Sequence, residues 1–305
     1  MNKVLITGGS GLIGRMLAKE LDKEGYKISI LGRNKYNQDK NSYTHYNWDI
    51  EKGNIDSEAV KNVECIVHLA GENISEKKWS PTQKIIIENS RVKSAKLLYQ
   101  ACLEQKVWPK TFISSSAIGY YGTFTSDKIL TEEDGPGSDF LAEIGKKWES
   151  AADLFKQKGI RTVKIRTGVV LSKDGAAYPK MAKPAKFGLA AAFGSGKQYV
   201  PWIHIHDIVN IFTKAIEDEK MHGAYNGVAP QHLTNKELTK AIAKSFNKPY
   251  WLPNIPEFIL KAVFGEMSDI ILKGSRISAE KIKASGYTFK FSEIEDALKE
   301  LSTKI

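Results

Sequence analysis

Short apolar runs alternate along the chain with longer segments in which apolar residues recur at helical spacing. The short runs predict buried β-strands, and the longer segments predict amphipathic helices. The predicted strands are Val4–Thr7, Lys27–Leu31, Tyr43–Asp49, Glu64–Ala70, Thr111–Ser116, Arg161–Leu171 and Ala224–Val228. The predicted helices are Leu12–Leu21, Pro81–Lys106, Asp139–Lys156, Ile208–Ile216 and Thr234–Phe246. This alternation is typical of an α/β fold with a doubly wound parallel sheet between two helical layers.

The length of the chain predicts two units of unequal size. A chain of 305 residues is long for one compact core. We expect residues 1–171 to form the larger domain, to which residues 200–228 return. Residues 172–199 and 229–305 are expected to form a smaller C-terminal α/β lobe. The segment Pro256–Lys273 is dense in apolar residues, which favours either the core of that lobe or a face turned toward a second copy or a membrane surface.

Three glycines lie between the first strand and the first helix. Gly8, Gly11 and Gly14 let the backbone approach a bound group closely, and Leu12 and Ile13 begin a helix whose first N–H groups are free. Strand, glycine turn and helix start together are typical of a site for the pyrophosphate of a dinucleotide. An ordinary tight turn is the alternative, but the second strand that follows fits the dinucleotide-binding unit.

The ends of the next strands suggest which dinucleotide is bound. The second strand ends beside Arg33. An NAD site usually has a carboxylate there to hold the ribose 2′-hydroxyl, whereas an arginine suits a 2′-phosphate, so the sequence predicts NADP rather than NAD. Asp49 and Ile50 are predicted beside the adenine ring, with a plain turn aspartate as the alternative for Asp49. Gly71 and Glu72 are expected beside the phosphates and ribose.

Composition and charge argue against several classes of function. The formal net charge is +10, but the lysines are dispersed and no five like charges are consecutive, which favours a solvated surface over a nucleic-acid site. No apolar run approaches the ~20 residues that span a bilayer, and no signal-peptide pattern precedes the first strand. Cys65 and Cys102 lack metal-ligand spacing and fit buried thiols in a reducing cytoplasm. We therefore expect a cytoplasmic monomer or homodimer with a small-molecule substrate and with no metal, nucleic-acid or membrane partner.

Several motifs resemble the extended short-chain dehydrogenase/reductase superfamily, which includes nucleotide-sugar epimerases and dehydratases. TGGSGLIG forms the glycine turn, HLAG follows the fourth strand, and SSSA…YYG follows the fifth. LAGENI, SAIGYYG, DFLAEIGKKWE, RTGVVLS and GSGKQYVPWIHIHD are similar to an atypical "epimerase family" branch of that superfamily. The resemblance covers nearly the whole chain. It implies a Rossmann domain that binds NADP and a smaller lobe that closes over the nicotinamide end.

The resemblance also implies roles for individual residues. Ala70, Ser114 and Arg166 are expected to lie along the cofactor, together with the residues already named. Ser116 would take the place of the superfamily's catalytic serine or threonine, with Ser115 as the alternative.

The chain departs from the superfamily at the proton carrier. Typical members have Tyr-x-x-x-Lys on the helix after this serine, where the lysine lowers the pKa of the phenol so that it can exchange a proton with substrate. Here Leu141 and Gly145 occupy the two positions, so both acid–base groups are missing. The spacing recurs at Tyr36 and Lys40, but on the adenosine side. Glycine is unfavourable inside a helix, so we hypothesise that the cofactor's ribose or nicotinamide approaches Gly145 closely.

Tyr120 and Tyr121 follow the serine strand and are the candidates to replace the missing proton carrier, although one of them is expected to be a packing aromatic. His204 and His206 are weaker candidates. His206, followed by an aspartate, fits a helix cap, and His204 fits a hydrogen-bonded structural histidine.

Ser116, Lys197 and Trp202 are predicted to border the substrate, with a buried tryptophan at the junction of the lobes as the alternative for Trp202. Two functions follow from these residues. One is an NADP-dependent oxidoreductase or epimerase that acts on a small carbonyl or sugar, free or nucleotide-linked, by atypical proton transfer. The other is a non-catalytic NADP-binding redox sensor or regulatory protein.

Overall fold

The computed structural model describes residues 3–33, 43–175 and 177–303. The pair Tyr36 and Lys40 lies outside them. The strands are β1 (Lys3–Thr7), β2 (Lys27–Gly32), β3 (Thr44–Asp49), β4 (Asn54–Ile55), β5 (Cys65–His68), β6 (Thr111–Ala117), β7 (Ile129–Leu130), β8 (Arg161–Thr167), β9 (Val169–Leu171), β10 (Trp202–His204), β11 (Gly223–Gly227) and β12 (Arg276–Ile277). The helices are α1 (Leu12–Lys23), α2 (Pro81–Gln105), α3 (Phe140–Gln157), α4 (Ala177–Lys186), α5 (Ile205–Glu217), α6 (Asn235–Ser245), α7 (Glu257–Phe264), α8 (Asp269–Leu272), α9 (Glu280–Ala284) and α10 (Ile294–Ser302).

The main sheet confirms the predicted doubly wound α/β fold. Within the described ranges, eight strands lie in the order β11-β8-β6-β5-β1-β2-β3-β4, and each adjacent pair is parallel except β3 with β4. Successive strand side chains face opposite layers: Val4 and Ile6 pack with α1 and α5, whereas Leu5 packs with α2 and α3. The strand order reverses between β1 and β5. Ligands of such sheets bind in the crevice at the carboxyl ends of the strands at this point.

The predicted single strand Arg161–Leu171 is wrong, because the chain leaves the main sheet at Gly168. β8 pairs with β6 and β11, but β9 pairs with β10 in a separate two-stranded sheet. A Cβ on Gly168 would lie 2.5 Å from the carbonyl oxygen of Pro201, and the Val169 N–H donates to that same oxygen at 2.8 Å. Only a glycine fits where the chain passes the Pro201 carbonyl group. Beyond this point the chain leaves the main sheet and continues as β9 of the two-stranded sheet.

A hydrophobic cluster separate from the two that flank the main sheet lies around Tyr178, Trp202 and Leu238. It joins α4, α6 and α10, which come from the two stretches predicted to form the smaller lobe. The packing differs from the prediction in two respects. Trp202, from the stretch predicted to return to the larger domain, belongs to this cluster, whereas Ile277 and Ile282 belong to the cluster that packs α1 and α5 on the main sheet. The C-terminal stretch therefore contributes to both of these clusters.

The prediction that Pro256–Lys273 supplies lobe core is wrong for α7. Leu260 is buried, but Phe258 is 72% exposed, and Ile259 and Val263 are also exposed. No helix in the described part of the chain has the length and apolar character needed to cross a bilayer. Both cysteines are free and buried, as predicted.

Candidate functional site

The glycine turn builds a backbone cradle at the carboxyl ends of β1 and β5. Gly8 has φ +69°, and a Cβ there would lie 2.8 Å from the Leu69 carbonyl carbon. A Cβ on Gly14 would lie 2.4 Å from the carbonyl oxygen of Gly8. Gly11 caps α1 without a side chain, so the first N–H groups of the helix remain free for an anion. The structure therefore places the predicted glycines and the start of α1 at one site.

A buried histidine, which sequence reasoning missed, holds this cradle together. His68 Nδ1 lies 2.8 Å from the Thr7 hydroxyl, which accepts the N–H groups of Leu69 and Ala70, each at 3.2 Å. Its Nε2 lies 3.1 Å from Ser94 Oγ on α2. Burial lowers the pKa of His68 to about 4, so the ring is neutral at pH 7. The only sequence signal was a polar residue ending an apolar strand.

The residues predicted around the adenosine lie beside the cradle. Arg33 is 75% exposed, and its Nη1 lies 3.8 Å from Glu72 Oε2, so its guanidinium is open to an anion. Asp49 Oδ1 accepts the Lys52 N–H at 3.0 Å, as a turn aspartate does, and that hydrogen bond lowers the pKa of Asp49. Ile50 is half-buried. Roles for Asp49 and Ile50 toward adenine stay predictions.

Gly71 and Ala70 lie at the carboxyl end of β5. A Cβ on Gly71 would lie 3.0 Å from Arg91 Cζ, and Arg91 Nη2 donates to the Glu72 carbonyl oxygen at 2.9 Å. Arg91, on α2, therefore fixes the chain that follows β5. No motif in the sequence pointed to it.

We call the crevice at the carboxyl ends of the strands, between the cradle and the end of β6, the cleft. A buried polar network lies beneath its β6 side. Arg166 donates from Nε and Nη2 to the two carboxylate oxygens of Glu149, at 2.7 and 2.9 Å. Ser116 Oγ donates to Glu149 Oε1 at 2.8 Å, and Arg166 Nη1 donates to the Tyr121 hydroxyl at 2.9 Å. That hydroxyl donates to Asn226 Oδ1 at 2.7 Å. The network links β6, α3, β8 and β11.

The network explains why two predicted catalytic residues do not reach the cleft. Ser116 and Tyr121 are each about 2% exposed, and their hydroxyls are committed to the buried network. Burial raises the pKa of Tyr121 to about 12, against the opposing effect of Arg166. Burial by itself would lower the pKa of Arg166, but the hydrogen bonds and charge of Glu149 raise it above its ordinary value. The structure therefore does not support proton exchange with substrate by either hydroxyl.

Two predicted cofactor contacts are also covered by protein. Ser114 is 1% exposed and donates from Oγ to the Ser115 carbonyl oxygen. Arg166 is 3% exposed, so its guanidinium supports the site from below rather than lining it. Because strand side chains alternate, Ser115 faces the other layer from Ser116 and is half-buried.

Tyr120 is the partly accessible member of the tyrosine pair. Its ring lies 3.6 Å from Arg166 Cζ, in a cation–π stack, and it meets the Tyr121 ring edge to face at 5.6 Å. The structure therefore separates the pair as expected, into a packing aromatic and an accessible one.

On α3, the two positions at which typical superfamily members have tyrosine and lysine are used for packing. A Cβ on Gly119 would lie 3.2 Å from Leu141 Cβ, and a Cβ on Gly145 would lie 3.0 Å from Tyr120 Cα. The short turn Ile118–Tyr121 thus rests on α3 at both positions. The hypothesis that a cofactor approaches Gly145 is not supported, because the backbone of Tyr120 occupies that place.

A small cavity of about 30 Å³ lies beside Leu141, between Asp139, Trp79 and Glu266. Asp139 caps α3, accepting the Ala142 N–H at 2.9 Å and the Thr123 hydroxyl at 2.6 Å. Burial alone would raise the pKa of Asp139. The hydrogen bonds from Thr123 and Ala142 lower it by more than burial raises it, so the net shift is downward.

The remaining candidates lie in or near the second lobe. Trp202 is fully buried and donates from Nε1 to a backbone oxygen at 3.2 Å, so it packs at the junction of the lobes and does not border an open pocket. His204, not His206, caps α5 and lies 3.2 Å from Glu300; burial lowers its pKa to about 4. His204 is therefore structural. Lys197 is exposed, and its substrate role stays a prediction.

Among the residues that the structure describes, no three His, Cys, Asp or Glu side chains are placed to hold a metal ion.

Comparison with known sequences shows which families the chain is similar to. A profile of the NAD dependent epimerase/dehydratase family matches residues 4–226, and a profile of a domain of unknown function, DUF1731, matches residues 255–301. The chain is 34% identical over 303 residues to the epimerase family protein YfhF of Bacillus subtilis, covering 98% of this chain and 97% of that one. It is 33% identical over 304 residues to the human epimerase family protein SDR39U1, covering 98% and 99% of the two chains.

Solved structures are similar over the same length. A crystal structure of human SDR39U1 with NADPH has a TM-score of 0.87 at 30% identity, covering 99% of this chain and 100% of that one. A nucleoside-diphosphate sugar epimerase from Corynebacterium glutamicum has a TM-score of 0.79 at 31% identity, covering 99% of this chain and 58% of that longer one.

Proposed function

This chain belongs to the NAD-dependent epimerase/dehydratase family, and we propose that it binds NADP and acts on a small carbonyl or sugar, free or nucleotide-linked. The observation that carries the proposal is the cradle at Gly8 and Gly14, where a Cβ would lie 2.8 Å and 2.4 Å from backbone atoms. Such a cradle, opening onto a free helix N-terminus at the reversal of strand order, fits the pyrophosphate of a dinucleotide. The human relative crystallised with NADPH supports the same ligand.

The choice of NADP over NAD rests on Arg33. Its exposed guanidinium lies at the end of β2, where the ribose of the adenosine is expected, and its contact with Glu72 is long at 3.8 Å. A phosphate would therefore gain an arginine that has no strong partner to give up.

Bound NADP would supply a hydride donor or acceptor at its nicotinamide. The protein's part is to hold and move a proton at the substrate. Tyr120 is the best-placed group, because its side chain is partly accessible at the carboxyl end of β6 and is fixed by the Arg166 stack. Ser115 is the alternative hydroxyl. Leu141 and Gly145 offer no titratable group, so any proton transfer here differs from that of typical superfamily members.

The first test is binding and turnover by the wild-type protein. Fluorescence titration should show tighter binding of NADPH than of NADH. The protein is then incubated with NADP(H) and a panel of sugar nucleotides and small carbonyls. Nicotinamide absorbance and sugar stereochemistry are both followed, since an epimerase returns its hydride in each cycle. Tyr120→Phe should remove turnover while NADPH still binds, and full turnover in this variant would exclude Tyr120.

One observation favours a second candidate function, a redox sensor that binds NADP without turnover. The usual proton carriers are replaced at Leu141 and Gly145, and Ser116 and Tyr121 are buried. A sensor would bind NADPH and NADP+ with different affinities, show no product with any substrate, and change its protease sensitivity between the two forms. Turnover of any member of the panel would exclude it.

A further inference from the structure

The smaller lobe carries most of the surplus positive charge of the chain. Residues 177–199 and 229–256 contain eight lysines and no arginine, and Glu237 is their single acidic residue. These two stretches therefore hold seven of the ten net positive charges. Along the sequence the lysines are dispersed, but α4 packs against α6, so the fold gathers them on one lobe.

These lysines are also unneutralised. Glu237 is engaged with Thr234 in the capping box that begins α6. Among the described residues, none of the eight lysines forms an ion pair with a carboxylate. Lysines of the larger domain do so repeatedly, as in Lys110 with Glu64 at 3.0 Å. Apart from the electrostatic attraction between Glu237 and Lys240, no carboxylate within these two stretches compensates their positive charge.

On α6 the lysines form a stripe. Leu238 and Ile242 are buried against the lobe core, whereas Lys236, Lys240 and Lys244 are exposed at intervals of four residues. Side chains four residues apart lie on one face of a helix. This face therefore presents three ammonium groups in a row.

Large apolar side chains project beside the stripe. Phe187 is 73% exposed, Trp251 is 66% exposed and Leu189 is 52% exposed. The Trp251 indole N–H donates to the Gly188 carbonyl oxygen at 3.1 Å, which fixes the tryptophan against the chain that carries the other two. The exposed indole therefore lies against the backbone between Phe187 and Leu189, and we call these three exposed residues the apolar group.

Two cation–π contacts connect this apolar group with the lysines. Lys186, next to Phe187, lies 5.5 Å above the Phe246 ring at the end of α6. Lys240 lies 5.6 Å above the ring of Tyr250, next to Trp251. These contacts bring Lys186 and Lys240 next to the segments that carry Phe187 and Trp251, and we call the surface that these residues form the basic apolar face. Its members are Lys186, Phe187, Leu189, Lys240, Lys244 and Trp251.

We propose that the basic apolar face binds the surface of an anionic phospholipid bilayer. Exposed Trp, Phe and Leu side chains enter the boundary between headgroups and acyl chains, while neighbouring lysines are attracted to anionic headgroups. The combination fits a bilayer better than nucleic acid. Both stretches lack arginine, whose planar guanidinium suits bidentate contacts to base edges, and aliphatic Leu189 has no role in base stacking. The proposal concerns a surface outside the cofactor cleft and does not depend on the proposed function.

Co-sedimentation of the full-length protein with vesicles tests the proposal. The protein should bind phosphatidylcholine vesicles that contain about one-third phosphatidylglycerol, bind pure phosphatidylcholine at least about tenfold more weakly, and dissociate as salt is raised. Lys240→Glu/Lys244→Glu should weaken binding to the anionic vesicles at least about tenfold. Phe187→Ser/Trp251→Ser should weaken it by a similar factor without any change in net charge.

The matched control is Lys19→Glu/Lys96→Glu, which makes the same change in net charge on exposed helical positions of the larger domain. It should retain vesicle binding within about twofold. Thermal melting of each variant verifies folding.

Three results would overturn the proposal: no binding to anionic vesicles, equal binding to neutral ones, or an equal loss in the control pair. A single-stranded RNA oligonucleotide is tested in parallel. Binding of this RNA without vesicle binding would assign the face to nucleic acid instead.

Discussion

One wall of the cleft is formed by backbone atoms and the other by side chains. At β1, β5 and α1 the wall is backbone, shaped by Gly8 and Gly14 and held by the hydrogen bonds of His68. At β6 and α3 the wall is made of side chains, and Leu141 and Gly145 there are covered by the turn Ile118–Tyr121.

Cofactor binding and proton transfer therefore depend on different parts of the cleft, so one can be lost while the other is kept. A backbone cradle depends on chain path and survives changes in most side chains. Proton transfer by the superfamily's mechanism depends on two side chains, so two substitutions suffice to remove it.

The largest effect is expected from breaking the network beneath the side-chain wall. Arg166→Met leaves the buried Glu149 carboxylate without its bidentate partner and with Lys164 Nζ, at 3.8 Å, as its remaining cation, so the free energy of unfolding should fall by up to about 3–5 kcal/mol. Urea denaturation measures it. Arg166→Met/Glu149→Leu should recover much of the loss, because no unpaired charge remains. A loss below about 1 kcal/mol in the single variant would mean that the ion pair is not important for stability.

On the backbone wall, His68 should make stability depend on pH. Burial lowers its pKa from the ordinary value of about 6.5 to about 4 in the folded protein. The unfolded chain therefore binds the proton more readily. The contribution of neutral His68 is fully present above about pH 6.5 and is lost as pH falls toward 4, by up to about 3 kcal/mol.

Denaturation of wild type and His68→Gln across this pH range isolates the effect from that of His204, which titrates in the same direction. The variant should be less stable at pH 7, and the difference should shrink toward pH 4. A constant difference would contradict the assignment.

The cradle itself is tested by Gly14→Ala. The added Cβ would lie 2.4 Å from the Gly8 carbonyl oxygen, so the turn must move, and NADPH should bind about a hundredfold more weakly, or about 3 kcal/mol. Alanine is the better helix former by about 1 kcal/mol, so helix propensity cannot explain a loss. Gly135→Ala is the control, since no atom lies within 4 Å of its added Cβ. Unchanged affinity in Gly14→Ala would place the cofactor elsewhere.

A smaller and more selective effect is expected at Arg33. Arg33→Ala removes the cation expected to face the 2′-phosphate, so NADPH binding should weaken about tenfold while NADH binding stays constant. Fluorescence titration with both cofactors measures the ratio, and Lys19→Ala controls for the loss of one charge. Equal losses for NADPH and NADH would contradict the assignment.

The smallest effect concerns packing on the side-chain wall. Gly145→Ala adds a Cβ 3.0 Å from Tyr120 Cα, and that backbone contact should outweigh the gain in helix propensity, giving a net loss of about 1 kcal/mol. Thermal melting measures it. Stabilisation by about 1 kcal/mol, as helix propensity alone predicts, would show that the turn Ile118–Tyr121 is free to move away.

Much of the fold was predictable because its signals are local. Apolar periodicity located most strands of the main sheet and most of the helices that pack on it, and the helix predicted over Thr234–Phe246 begins at a capping box of Thr234 and Glu237. The glycine spacing located the cradle for the same reason, since a turn between a strand and a helix is determined by a few consecutive residues.

Burial of single polar groups was not predictable in this way. Ser116, Tyr121 and Arg166 looked like candidates for a ligand site, but Glu149 turns them into an internal network. Its position on α3 gave no sign that its carboxylate would pair with a residue on β8.

The sequence by itself thus determined the sheet, the cradle and the loss of the tyrosine–lysine pair, since each depends on residues that are close along the chain. Only the tertiary structure decided which hydroxyls are buried, what fills the space at Gly145, and that α4 and α6, whose lysines are dispersed along the sequence, pack against each other. The physical reason is that burial, ion pairing and surface potential depend on distances between residues far apart in sequence, which periodicity and spacing do not encode.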